Sequence, residues 1–145
     1  MSEIVTLGWQ RDYQPLVHVR CPTSRVAYVR SVLSGRYDSP DPPGVEVRRV
    51  LDIGAGVGEF ALYAAARWAG CWVDCWEPDA ELRALLEENG PAGMRVIERV
   101  AEDWSAYQVI RMTTHDHGAG LVDAEYGSPK MTTGALLIVD YQERR

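Results

Sequence analysis

Three closely spaced glycines behind an aspartate form the densest chemical signal in this chain of 145 residues. The run LDIGAGVG places Asp52 just before Gly54, Ala55, Gly56 and Gly58. Glycine lets the backbone turn tightly from a strand into a helix, and it lets a ligand approach without meeting a Cβ atom. The N–H groups at the start of the helix then point at that ligand. The pattern predicts a strand, a ligand-binding turn and a helix.

The position of the third glycine and the residue that follows it restrict the chemical class of the ligand. Dinucleotide enzymes hold a pyrophosphate on Gly-x-Gly-x-x-Gly. Here the third glycine comes one position early, and Glu59 stands where the helix begins. A carboxylate would repel a pyrophosphate. We therefore favour S-adenosylmethionine, whose polar end is a zwitterionic methionine, over NAD.

Two carboxylates are placed to hold such a ligand. Glu77 ends the next apolar segment, 19 residues after Gly58. Its two oxygens suit the two hydroxyls of a ribose. Asp52 would orient the glycine turn and accept from the ammonium group, directly or through water. The alternative is a glycine turn that is purely structural, as in many α/β proteins.

Further along, Glu102, Asp103 and Trp104 follow the third predicted core strand. We expect them at the rim of the ligand crevice, where Asp103 would accept from the adenine amino group. Trp104 or Trp76 would then lie against the face of the base. Two other interpretations stay open, Asp103 as a helix N-cap and the tryptophans as packing residues.

Residues that could bind a metal or form a disulfide give weaker signals. The triplet 115–117 (His-Asp-His) resembles a metal-binding motif, but it lies in a glycine-rich stretch with no third ligand evident, so we expect no metal. Cys21, Cys71 and Cys75 lack the paired spacing of a zinc site or a disulfide framework. We expect Cys71 and Cys75 to be small core residues.

Alternating strands and helices must position these groups, which indicates an α/β fold with a mostly parallel, Rossmann-like sheet. In chain order the patterns predict an extended arm near 16–19, a helix over 22–34, a loop over 38–44, strands over 45–53, 71–76 and 94–100, helices over 59–68 and 79–89, and a strand over 134–140. The stretch 107–131 reads only as short antiparallel strands.

The length, net charge and apolar content of the chain limit the number of domains and the classes of partner. The chain suits a single domain, with residues 1–44 as arm, helix and loop and residues 45–145 as the cofactor-binding core. A net charge of −6 provides no basic field for nucleic acid. The longest apolar run, 60–66, is far short of the roughly 20 residues of a membrane helix. We therefore expect a cytoplasmic protein without nucleic-acid or membrane partners.

The segments LDIGAGVG, WEPD and LLEEN, at 51–58, 76–79 and 85–89, look like those of a class I S-adenosylmethionine-dependent methyltransferase. The Glu-Pro pair that includes Pro78 and the Leu-Leu-x-x-Asn that follows are similar to FkbM-type methyltransferases. Upstream, GRYD at 35–38 resembles the Gly-x-Tyr-Asp of that family. The resemblance implies a Rossmann-like methyltransferase fold, S-adenosylmethionine as cofactor, and methyl transfer to an oxygen of a sugar or another small molecule.

The last segment, LLIVDYQE at 136–143, resembles the strand-four segment of the same family. The family usually carries a lysine before Ile-Asp and a glycine after the glutamate, whereas here Val139 precedes Asp140 and Arg144 follows Glu143. Asp140 is the candidate base or positioning group, with Glu143 three residues on. An ordinary strand-end carboxylate is the alternative for Asp140.

The family's fold continues beyond the point where this chain stops, so we expect a fold shortened at its C-terminus. The predicted order of strands is 94–100, 71–76, 45–53 and 136–139. An apolar strand at the sheet edge would expose unpaired N–H and C=O groups. We expect a second copy of the chain to cover that edge in a homodimer. A non-catalytic module that binds S-adenosylmethionine is the second functional hypothesis.

Overall fold

A computed structural model describes residues 3–41, 44–114, 130–131 and 135–141. Its elements are, in chain order, β1 (Ile4–Trp9), β2 (Val17–Pro22), a 3-10 turn (Thr23–Arg25), α1 (Val26–Leu33), β3 (Arg49–Ile53), α2 (Glu59–Arg67), β4 (Trp72–Trp76), α3 (Ala80–Asn89), β5 (Met94–Val96), β6 (Asp103–Trp104), β7 (Val109–Thr114), β8 (Lys130–Met131) and β9 (Leu136–Tyr141).

Five strands form a central sheet in the order β5-β4-β3-β7-β9. Every neighbouring pair in this sheet is parallel. The strands after β3 in the chain lie first on one side of it and then, from β7 onward, on the other. The order in which strands are added to the sheet therefore reverses beside β3. Open α/β sheets bind ligands at such a point, at the carboxyl ends of the strands. The α/β fold with a parallel sheet is confirmed.

The position of β7 corrects the predicted strand order. The predicted order had 136–139 directly beside the first core strand, but β7 lies between β3 and β9. Short antiparallel strands were predicted from 107 onward, whereas β7 is a six-residue parallel strand. The charge of Arg111, in the middle of an otherwise apolar run, hid the pattern of a buried strand.

One face of the sheet is covered by α1, α2 and α3. Strand β3 is buried from Val50 to Ile53, as its apolar sequence predicts. The aromatic residues Phe60 and Tyr63 of α2 are fully buried in the cluster that also holds Cys71 and Cys75. Cys71 and Cys75 are buried and unpaired, which confirms that they are core residues, and Cys21 is buried and unpaired as well.

The other face carries a smaller core. Leu51 and Ile53 from β3 pack there with Ile110 and Met112 from β7. Trp104 closes this cluster from the segment that includes β6. Alternation along β3 and β7 therefore sends apolar residues to both faces.

The amino-terminal arm is a hairpin in which β1 and β2 pair in antiparallel fashion. It packs Val19 and Cys21 against Val29 of α1 and Leu62 of α2. A short extended piece near 16–19 was predicted, but its partner strand β1 was not. In the described part of the chain, no helix has the length and apolar character needed to span a bilayer.

Asn89 joins this hairpin to the glycine turn. Its Nδ2 donates to the carbonyl oxygens of Arg20 and Val57, both at 2.8 Å, and its Oδ1 accepts from the Arg20 N–H at 2.9 Å. Asn89 is buried. The amide thus meets backbone groups of β2 and of the turn that would otherwise lose their partners.

We expect Asn89→Ala to lower the free energy of unfolding by about 2–4 kcal/mol, because three backbone groups lose a hydrogen bond at a buried site. Urea unfolding followed by circular dichroism measures it. The matched control is Glu88→Ala, which removes only a half-exposed ion pair with Arg20. Its expected effect is below about 1 kcal/mol. Equal effects of the two substitutions would contradict this role for Asn89.

Candidate functional site

The glycine turn connects β3 to α2 and lies at the carboxyl edge of the sheet. Gly54, Gly56 and Gly58 have φ angles of 80°, 61° and 96°. These are left-handed conformations that glycine adopts without strain. A Cβ atom at Gly54 would lie 3.2 Å from Thr113 of β7, so the turn also packs closely against that strand. The turn that the sequence predicts is present.

Protein acceptors occupy the N–H groups of this turn. Those of Gly54 and Ala55 both donate to the carbonyl oxygen of Trp76 at 2.9 Å. The N–H of Gly58 donates to the carbonyl oxygen of Ala55. The glycine pattern predicted free N–H groups that point at a ligand. Instead, the turn is held to β4, so side chains rather than these N–H groups must provide most of the recognition.

Glu77, directly after β4, binds the backbone of the glycine turn. Its Oε1 accepts from the Gly56 N–H at 2.7 Å, and its Oε2 accepts from the Asp79 N–H at 2.9 Å. Burial raises the pKa of this carboxyl, while the two backbone N–H groups oppose the shift. Each carboxylate oxygen has a second lone pair. Glu77 therefore lies beside the turn with acceptor capacity left for two hydroxyls.

Asp52 forms an ion pair with Arg111 in the interior. Both side chains are fully buried, and the Arg111 Nε lies 2.7 Å from the Asp52 Oδ1. The two residues face each other across neighbouring strands, since they are register partners in β3 and β7. Arg111 also donates through Nη2 to the carbonyl oxygen of Gly54 at 3.1 Å. One guanidinium thus fixes both the aspartate and the first glycine.

The second oxygen of Asp52 has no partner among the described residues, although it is buried. Burial raises the pKa of Asp52 to about 6, and the Arg111 guanidinium opposes that shift. The carboxyl is therefore ionised at neutral pH. A buried carboxylate oxygen without a donor is costly, and an ammonium group or a water molecule would satisfy it.

Glu59 is fully buried at the first turn of α2. Its Oε1 lies 3.1 Å from Nη2 of Arg25, and its Oε2 accepts from the Val57 N–H at 3.1 Å. This corrects the argument that Glu59 would repel an anionic ligand, because Arg25 neutralises it. The Nε of Arg25 is buried without a partner in the described part of the chain. Arg25 and Glu59 fill the space that a Cβ at Gly56 would occupy.

A chain of hydrogen bonds leads from Arg111 to Asp140 on β9. The Arg111 Nη1 donates to the hydroxyl of Tyr28 at 2.9 Å, and that hydroxyl donates to the Asp140 Oδ2 at 2.9 Å. Tyr37 also donates to the same carboxylate oxygen. The guanidinium of Arg111 lies 5.1 Å from the centre of the Phe60 ring. These contacts join β7, β9, α1, α2 and the turn after α1.

Asp140 lies one strand away from the point where the strand order reverses, not beside it as expected. It is buried, and its Oδ1 accepts from Nη2 of Arg36 at 3.1 Å. With Tyr28 and Tyr37 it therefore has three protein donors. Because these donors occupy both carboxylate oxygens, its contacts favour the structural interpretation over that of a free base.

The residues expected at the rim fall into two groups. Pro78, Glu102 and Asp103 are exposed. The Asp103 Oδ1 accepts from the Ser105 N–H at 2.9 Å, and Asp103 lies in β6 rather than at a helix start. Trp104 is fully buried and donates through Nε1 to the carbonyl oxygen of Ala101 at 2.7 Å. Its burial favours packing over stacking on a base.

The triplet 115–117 and Glu143, which the sequence singled out, lie outside the described residues.

Arg25 and Arg111 were missed by sequence reasoning. Neither belongs to a recognisable motif, and each is defined by a partner that is distant in sequence. A single arginine inside the apolar run VIRMT was the one available signal for Arg111, because a charge in a buried strand requires a partner.

The arrangement can hold a ligand that carries a diol, an ammonium group and a carboxylate. Glu77 offers acceptors for the diol, the free oxygen of Asp52 suits the ammonium group, and Arg25 provides a cation beside Gly56. S-adenosylmethionine carries all three groups. The residues present therefore fit that cofactor.

No protein-family model matches the chain, and no curated protein is similar to it. Solved structures do resemble it. TYW2 of M. jannaschii, in complex with AdoMet, gives a TM-score of 0.54 at 15% identity over 90% of this chain and 60% of that protein. A protein of Pyrococcus horikoshii named as a transferase gives 0.55 at 16% identity over 79% of this chain and 46% of that one. The chain shares the Rossmann-like α/β fold of these two proteins and spans 60% and 46% of their lengths.

We expect Arg111→Met to lower the free energy of unfolding by about 3–5 kcal/mol, because it leaves Asp52 charged and unpaired in the interior. Combining it with Asp52→Asn is expected to recover much of that loss. Urea unfolding at neutral pH measures both variants. Arg36→Met is the control, since Asp140 keeps its two phenol donors. A double variant no more stable than Arg111→Met alone would show that the two charges are not coupled.

Proposed function

We propose that this chain binds S-adenosylmethionine at the glycine turn and acts as a methyltransferase. The observation that carries the proposal is the pairing of Glu77 with the Gly56 N–H, next to a buried Asp52 oxygen without a protein donor. TYW2, a structural neighbour, was solved with AdoMet bound. The site chemistry and this likeness of fold support the same cofactor.

Three side chains would hold the cofactor. Glu77 would accept from the ribose hydroxyls through the lone pairs that the backbone N–H groups leave free. Asp52 would accept from the ammonium group through Oδ2, while Arg111 holds Oδ1. Arg25 would face the carboxylate of the methionine moiety. The ammonium and the carboxylate of the methionine moiety would then each meet an opposite charge from the chain.

NAD remains the competing ligand, and the structure removes one argument against it. Because Arg25 neutralises Glu59, repulsion of a pyrophosphate is weaker than the sequence implied. The occupied N–H groups of the turn are the better argument. A pyrophosphate is bound mainly by such groups at a helix start, and those of Gly54 to Gly58 already have protein acceptors.

The acceptor we propose is a hydroxyl of a sugar or another small molecule, as the FkbM-like segments imply. The cofactor would supply a methyl group bonded to a positively charged sulfur. The acceptor oxygen would bond to that methyl carbon as the carbon–sulfur bond breaks, and the hydroxyl proton would pass to a base or to water. Asp140 is the candidate base in the described residues, although its three donors oppose that role.

A second copy of the chain is the partner that we propose for β9. This strand is the last in the described sheet, and its Leu137 and Val139 are partly exposed. Pairing of two such edges would satisfy their backbone groups. A single monomeric species in sedimentation at micromolar concentration would rule the dimer out.

The three unpaired cysteines suit a reducing compartment such as the cytoplasm.

A non-catalytic module that binds the same cofactor is the second candidate function. The observation in its favour is that Asp140 is fully engaged with Tyr28, Tyr37 and Arg36. Release of S-adenosylhomocysteine in the presence of candidate hydroxyl acceptors separates an enzyme from a binding module. Binding without turnover across sugar and phenol acceptors would favour the module.

We expect Glu77→Ala to weaken the binding of S-adenosylhomocysteine by at least about tenfold, because two hydrogen bonds to a charged acceptor are lost. Calorimetric titration measures the affinity. Glu87→Ala, an exposed change on α3, is the control and should bind as the wild type does. Unchanged affinity in Glu77→Ala would exclude Glu77 as the ribose ligand. Tighter binding of NAD than of S-adenosylhomocysteine would contradict the cofactor assignment.

The affinity for S-adenosylhomocysteine is expected to fall as the pH is lowered through about 6, the pKa to which burial raises Asp52. A protonated Asp52 offers the ammonium group no charge, so it must lose its proton before the ligand binds. Titrations over roughly one pH unit on either side test this. Asp52→Asn, checked to be folded, should show a flatter profile; Glu77 titrates in both proteins, so the difference reports Asp52. Parallel profiles would contradict the assignment.

A further inference from the structure

A pocket lies on the sheet away from the glycine turn, which is at the carboxyl ends of the strands. It has a volume of about 370 Å³ and is lined by Arg49, Trp72, Asp74 and Arg95. These residues lie on β3, β4 and β5, toward the amino ends of β3 and β4. We call it the arginine pocket. Its volume is in the range of sites for small ligands.

Asp74 holds both arginines of the pocket in place. Arg95 donates to it through Nε and Nη2, both at 3.0 Å, and Arg49 donates through Nη2 at 3.1 Å. The hydroxyl of Tyr107 donates to the same carboxylate at 2.6 Å. Burial alone would raise the pKa of Asp74, but the hydrogen bonds from Arg95 and Tyr107 lower it. The carboxylate is therefore a fixed anchor for two guanidinium groups.

The pocket keeps a net positive charge. Two guanidinium groups face one carboxylate, and Asp74 is the only acidic partner of either arginine within the described ranges. Each guanidinium has five N–H donors, of which Asp74 uses one from Arg49 and two from Arg95. Arg49 is further fixed because its guanidinium lies 5.1 Å from the centre of the Tyr107 ring. Oriented donors remain for an oxyanion.

Trp72 adds a flat apolar surface beside these donors. Its side chain is 63% exposed, an unusual position for an indole. It is the register partner of Arg49 and lies two residues from Asp74 on the same face of β4. Strand geometry therefore places a ring and a pair of guanidinium groups within one small ligand's reach.

We propose that the arginine pocket binds a small planar ring that carries an oxyanion, such as an aromatic carboxylate or an aryl phosphate. The oxyanion would accept from Arg49 and Arg95, and the ring would lie on Trp72. This site is separate from the glycine turn and does not depend on the function proposed for it. It would give the chain a second ligand.

An ion cluster that only joins three strands is the competing explanation. Such a cluster accounts for Asp74 and its donors. It does not account for the exposed indole of Trp72, or for an excess of guanidinium groups on a chain whose net charge is −6. A ligand with a ring and an anion satisfies both features.

The test is a calorimetric titration of the purified chain with phenyl phosphate, benzoate and inorganic phosphate. We expect saturable binding of at least one of the two aromatic anions, with inorganic phosphate at least about tenfold weaker because it lacks a ring. Comparison of phenyl phosphate with benzoate shows which oxyanion the pocket prefers. Absence of saturable binding by either aromatic anion, in a folded sample, overturns the proposal.

Substitutions in the arginine pocket test whether the aromatic anion binds there. Trp72→Ala and Arg95→Gln should each weaken it by about tenfold, since each removes one of the two contacts. Arg95→Lys keeps the charge at Asp74 and tests the guanidinium fork if Arg95→Gln does not fold. Arg48→Gln, an exposed neighbour paired with Glu46, is the matched control and should have no effect. Affinity for S-adenosylhomocysteine should stay unchanged in all four. Binding that survives Trp72→Ala and both Arg95 variants places the ligand elsewhere and overturns the proposal.

Discussion

The fully buried ion pair between Asp52 and Arg111 is the interaction on which the rest of this structure depends. A carboxylate in the interior is costly unless a partner compensates its charge, and here the partner comes from the neighbouring strand at 2.7 Å. The same guanidinium holds the Gly54 carbonyl oxygen and the hydroxyl of Tyr28. The pair therefore sets the conformation of the glycine turn and connects it to α1. Without it, Asp52 would be an unpaired buried charge, and the Gly54 carbonyl oxygen would lose its arginine donor.

The proposed function depends on the oxygen of Asp52 that this pair leaves without a partner. Arg111 satisfies one oxygen of Asp52 and leaves the other buried without a described donor. Glu77 holds the turn from the opposite side, and Arg25 adds a positive charge beside Gly56. The result is a preorganised set of charges rather than a set of open N–H groups. Preorganised charges bind a zwitterionic ligand with little rearrangement, which is why the site suits S-adenosylmethionine better than a pyrophosphate.

The sequence predicted the elements whose signals are local. The core strands β3 and β4, the glycine turn between β3 and α2, and the helices α2 and α3 can all be read within short windows. The strand β7 was missed because Arg111 interrupts its apolar run. The roles of Arg25 and Arg111 could not be predicted, since their partners lie 34 and 59 residues away along the chain. Charges that are buried by pairing are recognised only once the topology brings the partners together.

A crystal structure of the chain with S-adenosylhomocysteine tests the central claim most directly. The account predicts the ribose hydroxyls within hydrogen-bond distance of Glu77 and the amino group beside Oδ2 of Asp52. The ion pair between Asp52 and Arg111 should be unchanged from the geometry described above. A ligand bound away from the glycine turn, or an Arg111 that leaves Asp52 when the ligand binds, would contradict the account.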